Sequence, residues 1–339
     1  SDVWFLKVNL EGEIDWYKTF GGSLNDRGSR IIKTSDGGYI ITGYSSSFSN
    51  GSKDVWIIKT NMNGESCSDY YDDGNCFDNS SSWIKSHGTT NDDSGNYIIE
   101  LDEGGYVITG KTSLIPSLLV MRLNSSGGNV WTKNYGTSGN DLGHYVEQDN
   151  DFLKVFGREN INGDIDVNYL NLELNGSENI SEHKTFGGPE SDIALYISKA
   201  IHTDGGFLIS GLTKSLGNGD FDDVWIVKCN STGIMEWQNN LGGNYSEQGY
   251  YIQQYTSGEN LIVGHTESYG QGLYDIWVAL TDVNGNFKSY QTFGGANDDK
   301  SFTSIKSPTD GLLIIGATKS FGSGGYDLLL MEINNNYNP

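Results

Sequence analysis

The chain has 339 residues, of which 36% are hydrophobic, 12% aromatic and 19% charged. That is length enough to bury a core of its own, and too aromatic and too lightly charged for a disordered chain. Its 44 acidic residues outnumber 21 basic ones, for a net charge of −23. A field of that sign repels nucleic acid and anionic membrane surfaces, so neither is expected as a partner.

No apolar run approaches the roughly 20 residues that span a membrane, so no membrane insertion is expected. The arginines, Arg27, Arg30, Arg122 and Arg158, are scattered. Sites that clamp carboxylates or phosphates with several guanidinium groups are therefore disfavoured. The chain begins at Ser1 rather than methionine and reads as a mature or excised segment.

In chain order, one unit recurs. A strand-like run DVWFLKVNLEG (2–12) is followed by WYKTFGG (16–22) and the hairpin RIIKTSDGGYIITG (30–43). The first run returns as DVWIIKTNMNG (54–64), SLLVMRLNSSG (117–127), DVNYLNLELNG (166–176), DVWIVKCNSTG (223–233) and DIWVALTDVNG (275–285). The second returns as WIKSHG (83–88), WTKNYG (131–136), HKTFGG (183–188), WQNNLGG (237–243) and YQTFGG (290–295). The hairpin returns as YIIELDEGGYVITG (97–110), and its relatives end in DGGFLISG (204–211) and DGLLIIG (310–316).

Its closing glycine falls at Gly43, Gly110, Gly157, Gly211, Gly264 and Gly316, a period of roughly 50 residues once an insertion at 65–82 is set aside. The runs are rich in Ile, Val, Tyr and Trp, and glycine turns separate them. Four short antiparallel strands per unit predict an all-β fold: a six-bladed β-propeller of four-stranded blades. It forms one domain over 1–339, with the cysteine-bearing insertion at 65–82. The strand at 2–8 and DLLLMEI (327–333) are expected to share one blade and so close the array.

The tryptophans occupy two repeat positions. Trp4, Trp56, Trp225 and Trp277 lie in the Asp-Val-Trp strand, and Trp16, Trp83, Trp131 and Trp237 follow the Asn-x-x-Gly turn. Recurrence of this kind predicts packing between blades.

The strings DGGYIITG, DVWIIK and WxKTFGG resemble repeats common in secreted bacterial and archaeal surface proteins. The Asn-x-x-Gly-x-x-x-Trp turn resembles the tryptophan-docking motif of pyrroloquinoline-quinone-type propellers. TSDGGY (34–39) is distantly similar to the Asp-box of sialidases, without its spacing and without the arginines such a site needs. The resemblance implies an extracellular or cell-surface location and a binding or architectural role, and it carries over no catalytic residue.

Aligning the turn before each hairpin gives a ring of acids, Asp26, Asp93, Asp141, Asp192, Glu247 and Asp298. Four residues on comes a second ring, Arg30, Tyr97, Tyr145, Tyr196, Tyr251 and Phe302. At a channel mouth the acids would attract calcium or another hard cation, and the tyrosines would stack on a sugar. The alternative is that each acid hydrogen-bonds its Gly-Gly loop. Asp2, Asp54, Asp166, Asp223, Asp275 and Asp327 open strands and are expected to cap turns.

In the insertion, Asp69, Asp72, Asp73, Asn75 and Asp78 form a candidate calcium loop, with a solvated acidic loop as the alternative. Cys67 and Cys76 are close enough in sequence for a disulfide, with free thiols as the alternative. Glycosylation sequons stand at Asn50, Asn79, Asn124, Asn175, Asn179, Asn230 and Asn244.

The expectation is a non-enzymatic extracellular β-propeller, a surface-structural or adhesive module. No cofactor is required, and calcium is the metal such a chain would bind. Its partners would be a cell-surface or extracellular protein, a glycan, or a second copy through a spare terminal strand. The rival reading is a carbohydrate-binding or polysaccharide-cleaving propeller using the channel-mouth tyrosines and acids.

Overall fold

Runs of β-branched and aromatic residues punctuated by glycine turns extend as strands, because side chains that crowd a helix pack well on a pleated sheet. In the computed structural model, which describes residues 1–66, 82–137, 140–161, 163–177, 180–202, 205–217, 221–307 and 311–334, every regular element is a strand. The chain is a six-bladed β-propeller.

Strands β1 (Val3–Val8) and β2 (Ile14–Phe20) come first. Blade 1 is β3 (Asp26–Lys33), β4 (Tyr39–Ser45), β5 (Asp54–Thr60) and β6 (Trp83–His87). Blade 2 is β7 (Asp93–Glu100), β8 (Tyr106–Thr112), β9 (Leu118–Leu123) and β10 (Asn129–Tyr135). Blade 3 is β11 (Leu142–Asp149), β12 (Phe152–Ile161), β13 (Asp164–Glu173) and β14 (Ile180–Phe186). Blade 4 is β15 (Asp192–Lys199), β16 (Phe207–Thr213), β17 (Asp223–Cys229) and β18 (Met235–Leu241). Blade 5 is β19 (Glu247–Gln254), β20 (Asn260–Thr266), β21 (Asp275–Thr281) and β22 (Phe287–Phe293). Blade 6 is β23 (Asp299–Lys306), β24 (Leu312–Thr318) and β25 (Asp327–Ile333). Within each blade the strands hydrogen-bond in chain order.

The shared terminal blade is not found among the described sheets. β1 pairs with β2 in a sheet of two, and β25 pairs with β24 in a sheet of three. The reason is local. β1 and β2 hold the third and fourth positions of the repeat and close on each other through the same Asn-capped turn that joins those positions elsewhere, with Asn9 Oδ1 accepting from Glu11 N and Glu13 N. β25 fills the third position of its own blade.

The periodic glycine has a physical cause. Each first strand carries a β-bulge, between Gly28 and Arg30, Gly95 and Tyr97, Gly143 and Tyr145, Ala194 and Tyr196, Gly249 and Tyr251, and Ser301 and Thr303. The bulge pushes a backbone carbonyl toward the second strand. A Cβ on Gly43, Gly110, Gly157, Gly211, Gly264 or Gly316 would collide with that oxygen, so only glycine fits.

The chain divides into two compact units, Ser1–Asn162 with Asn168–His183, and Gly163–Val167 with Lys184–Pro339. In the first, Ile40, Val55, Ile57, Ile98, Ile108 and Leu119 pack as one core cluster. In the second, Leu208, Val224, Ile226, Ile252, Ile262 and Trp277 do the same. In both, third-strand side chains of one blade meet first-strand and second-strand side chains of the next. Trp56, Trp225 and Trp277 are fully buried, as their repeat position predicted.

Candidate functional site

An acid stands at or just before the start of each blade's first strand, and the Gly-Gly or Gly-Thr loop before it has constant length. The amide of the residue four positions upstream donates to that acid: Gly22 N to Asp26 Oδ2 at 2.8 Å, Thr89 N to Asp93 Oδ2 at 2.7 Å, and Thr137 N to Asp141 Oδ2 at 2.9 Å. Gly188 N donates to Asp192 Oδ2 at 2.7 Å, Gly243 N to Glu247 Oε2 at 2.9 Å, and Gly295 N to Asp299 Oδ2 at 2.8 Å. All six carboxylates are buried.

The sixth member corrects the sequence alignment. Asp299, not Asp298, holds the position, because the loop fixes the acid four residues after its second glycine. Asp298 instead takes Lys319 Nζ at 2.7 Å and the Tyr326 hydroxyl at 3.0 Å near the surface. The Lys319 bond holds its carboxyl below the usual range, against a small cost of burial. By the same shift, Thr303 rather than Phe302 stands where blades 2 to 5 place a tyrosine, and Phe302 sits on the bulge.

In blades 1, 5 and 6 the second carboxylate oxygen takes a hydroxyl from the end of the second strand, whereas in blade 3 Asp141 Oδ1 accepts from Asn160 N at 3.0 Å. Thr266 Oγ1 donates to Glu247 Oε1 at 2.8 Å, and Ser45 and Thr318 donate to Asp26 and Asp299 in the same manner. Two residues further on, Ser47, Ser215, Ser268 and Ser320 accept from the Leu24, Glu190, Tyr245 and Asn297 amides at 2.9 to 3.1 Å. The reading of the sequence missed these hydroxyls, although Gly-x-Ser/Thr-x-Ser recurs at 43–47, 211–215, 264–268 and 316–320. Burial would raise Asp26, yet the bonds from Ser45, Ser47 and Gly22 outweigh it and lower its pKa.

The strand-opening aspartates accept amides from the loops before their own strands. Asn50 N donates to Asp54 Oδ2 at 3.0 Å, Gln271 N to Asp275 Oδ2 at 2.7 Å, and Ser323 N to Asp327 Oδ2 at 3.0 Å. Asp223 and Glu247 flank Gly242, and Asp275 and Asp299 flank Gly294, closely enough to leave no room for a Cβ. Burial first, and then the neighbouring carboxylates, raise the pKa of Asp54 and Asp223. Each such pair offers two carboxylates, short of the six to eight oxygens calcium takes. Among the described residues, no group of three or more His, Cys, Asp and Glu side chains could hold a metal ion.

The tyrosines pack against one another across blades with their rings tilted. In the first unit, the Arg30 guanidinium carbon lies 4.5 Å from the Tyr97 ring centre and Arg30 Nη2 donates to the Tyr97 hydroxyl at 3.2 Å. Tyr97 and Tyr145 follow at 4.9 Å between ring centres. In the second unit, Tyr196 and Tyr251 also stand 4.9 Å apart. Tyr145 and Tyr251 are buried, which removes their faces from a soluble sugar.

The candidate calcium residues Asp69, Asp72, Asp73, Asn75 and Asp78, the pair Cys67 and Cys76, and sequons Asn79 and Asn179 lie outside the described residues. Cys229 is buried as a free thiol. Asn50, Asn124, Asn175 and Asn244 are exposed and Asn230 is half-buried. Asn124 and Asn230 cap turns, accepting from Gly128 N at 2.8 Å and Ile234 N at 2.9 Å. Those two sequons therefore coincide with the turn motif. No described helix is long and apolar enough to cross a membrane.

No family model matches the chain, and no curated protein matches its sequence. Solved structures similar to it include an endo-arabinase from Bacteroides thetaiotaomicron, 11% identical, covering 70% of this chain and 93% of that one at a TM-score of 0.39. A putative exo-β-1,3-galactanase from Bifidobacterium bifidum is 12% identical over 97% of this chain and 92% of its own, at 0.34. A puromycin hydrolase is 9% identical over 91% of this chain, which spans 52% of the hydrolase, at 0.46. Likeness this distant carries nothing about activity.

Proposed function

We propose that this chain is a non-enzymatic, extracellular β-propeller serving as a surface-structural or adhesive module. One observation carries the reading. The six buried first-strand acids, five of which the sequence offers as a cation-attracting or sugar-cleaving ring, each accept a loop amide, so every blade repeats one structural bond. Hydrolysis by paired carboxylates needs one acid and one base in unlike environments, facing a common substrate. Here the acids are alike and face their own loops. The Asn- and Ser-rich acidic composition and the resemblance to secreted surface repeats support the extracellular placement. The proposal extends to calcium in the 67–78 segment.

The test is incubation with a panel of neutral and acidic polysaccharides, followed by assays for new reducing ends and unsaturated uronates. No product is expected from any substrate. Product that appears with the native chain and disappears in Glu247→Gln would overturn the reading.

A further inference from the structure

The two terminal sheets are complementary parts of one blade. β1 and β2 hold the third and fourth positions, and β23, β24 and β25 hold the first three. At two internal junctions, from blade 1 to blade 2 and from blade 4 to blade 5, a third-strand valine covers a glycine on the first strand of the next blade. A Cβ on Gly95 would stand 3.2 Å from Val55, and one on Gly249 would stand 2.9 Å from Val224. Val3 of β1 takes that place over Gly28 at 3.4 Å, so β1 sits on blade 1 as the outer half of a preceding blade.

Both sheets show uncovered apolar residues. Trp4 is 53% exposed, whereas Trp56, Trp225 and Trp277 at the same repeat position are buried. Leu328 and Leu330 are 60% and 38% exposed, whereas their counterparts Val55 and Ile57, and Val224 and Ile226, are fully buried. In three complete blades the third-strand tryptophan pairs opposite the second-strand glycine: Gly43 with Trp56, Gly211 with Trp225, and Gly264 with Trp277. In blade 6, Gly316 faces Leu329. Trp4 has a strand partner in β2 alone among the described residues. β1 and β3 line an open groove of about 600 Å³ that includes Trp4, Phe5, Arg30, Ile31 and Ile41.

We propose that a second copy of this chain docks by strand exchange. Its β1 replaces β25 on β24, and its β2 lies beyond as a fourth strand, a position empty in blade 6 among the described residues. In the register that β24 uses with β25, Gly316 would then face a tryptophan, Trp4 of the incoming copy, and Leu313 would face Lys7. The exchanged ladder matches the one lost in length, and the gain is cover for Trp4. β1 keeps its seat on its own blade 1, so the contact is head-to-tail and repeats along a filament. Each copy carries −23, so assembly strengthens as salt screens the repulsion.

The inference deepens the structural-module reading by naming its partner, and polysaccharide cleavage would overturn that reading without touching this one. The test uses the full chain. Light scattering at rising protein concentration and salt should give multiples of 37.2 kDa. Mixing Lys7→Cys with Leu313→Cys under mild oxidation should give a disulfide dimer that neither variant nor the native chain gives alone. A native chain that keeps single-chain mass under all conditions overturns the proposal whatever the variants do. So does a double variant that cross-links only within one chain.

Discussion

Trp237 of β18 fills the space over Gly285, where a Cβ would stand 2.6 Å from its ring. Gly285 also has a φ of +77°, a left-handed conformation that side chains resist. The same relationship joins Trp16 to Gly64, Trp83 to Gly127 and Trp131 to Gly176. The glycine turn between the third and fourth strands of one blade is thus the seat for the tryptophan of the sheet before it. Gly12 has a similar φ of +80° with nothing within 4 Å of its Cβ direction. Gly12→Ala should therefore cost the backbone term alone, about 1 kcal/mol. Gly285→Ala should cost roughly 2–4 kcal/mol, because the indole must also move. Denaturant melts of the two variants measure the difference.

Asp54 is buried, and burial together with the charge of Asp93 raises its pKa against the bond from Asn50. A carboxyl raised in the folded state stabilises fully below its unfolded pKa and loses that contribution as pH rises through the folded value. Asp54→Asn should therefore raise the melting temperature at neutral pH. The gain should shrink as pH falls through the carboxylate range. Asp26 has the opposite sign: its lowered pKa makes it stabilising above the ordinary carboxylate value, and that is lost in acid. Asp26→Asn should cost stability at pH 7 and little near pH 3. Melting curves across pH separate the two cases.

Lys59 is buried and pairs with Asp36 at 2.7 Å, while the Asp36 side chain is partly exposed. Losing either partner should have unequal effects. Asp36→Ala leaves a buried ammonium with the Thr60 carbonyl as its remaining acceptor among the described residues, at a cost of about 3 kcal/mol. Lys59→Met removes the buried charge and leaves a carboxylate that water can reach, so the change should stay within about 1 kcal/mol. Urea midpoints of the two variants test the asymmetry.

The strands and their six-fold repetition were legible because glycine, tryptophan and turn residues recur at fixed spacing. The acid ring was legible as a set, and Asp299 was misplaced to Asp298 because two adjacent aspartates compete for one column. Counting from Gly295, the donor, resolves it. The fate of the tyrosines was not legible: sequence places Tyr145 and Tyr251 on first strands, but the bulge that turns each toward a neighbouring ring is set by pairing with Phe156 and Val263. The terminal sheets also depended on pairing, since β1 and β25 both fit the third position by sequence and only hydrogen bonding shows each in its own sheet.

The central claim is that the repeated acids hold loops rather than ligands. Amide hydrogen exchange at Gly22, Gly188, Gly243 and Gly295, followed by NMR, tests it directly. These loop amides should be protected like strand amides, and Gly243 should lose protection in Glu247→Ala while Gly22 keeps its own. Loop amides that exchange freely, and become protected only when calcium is added, would contradict the account.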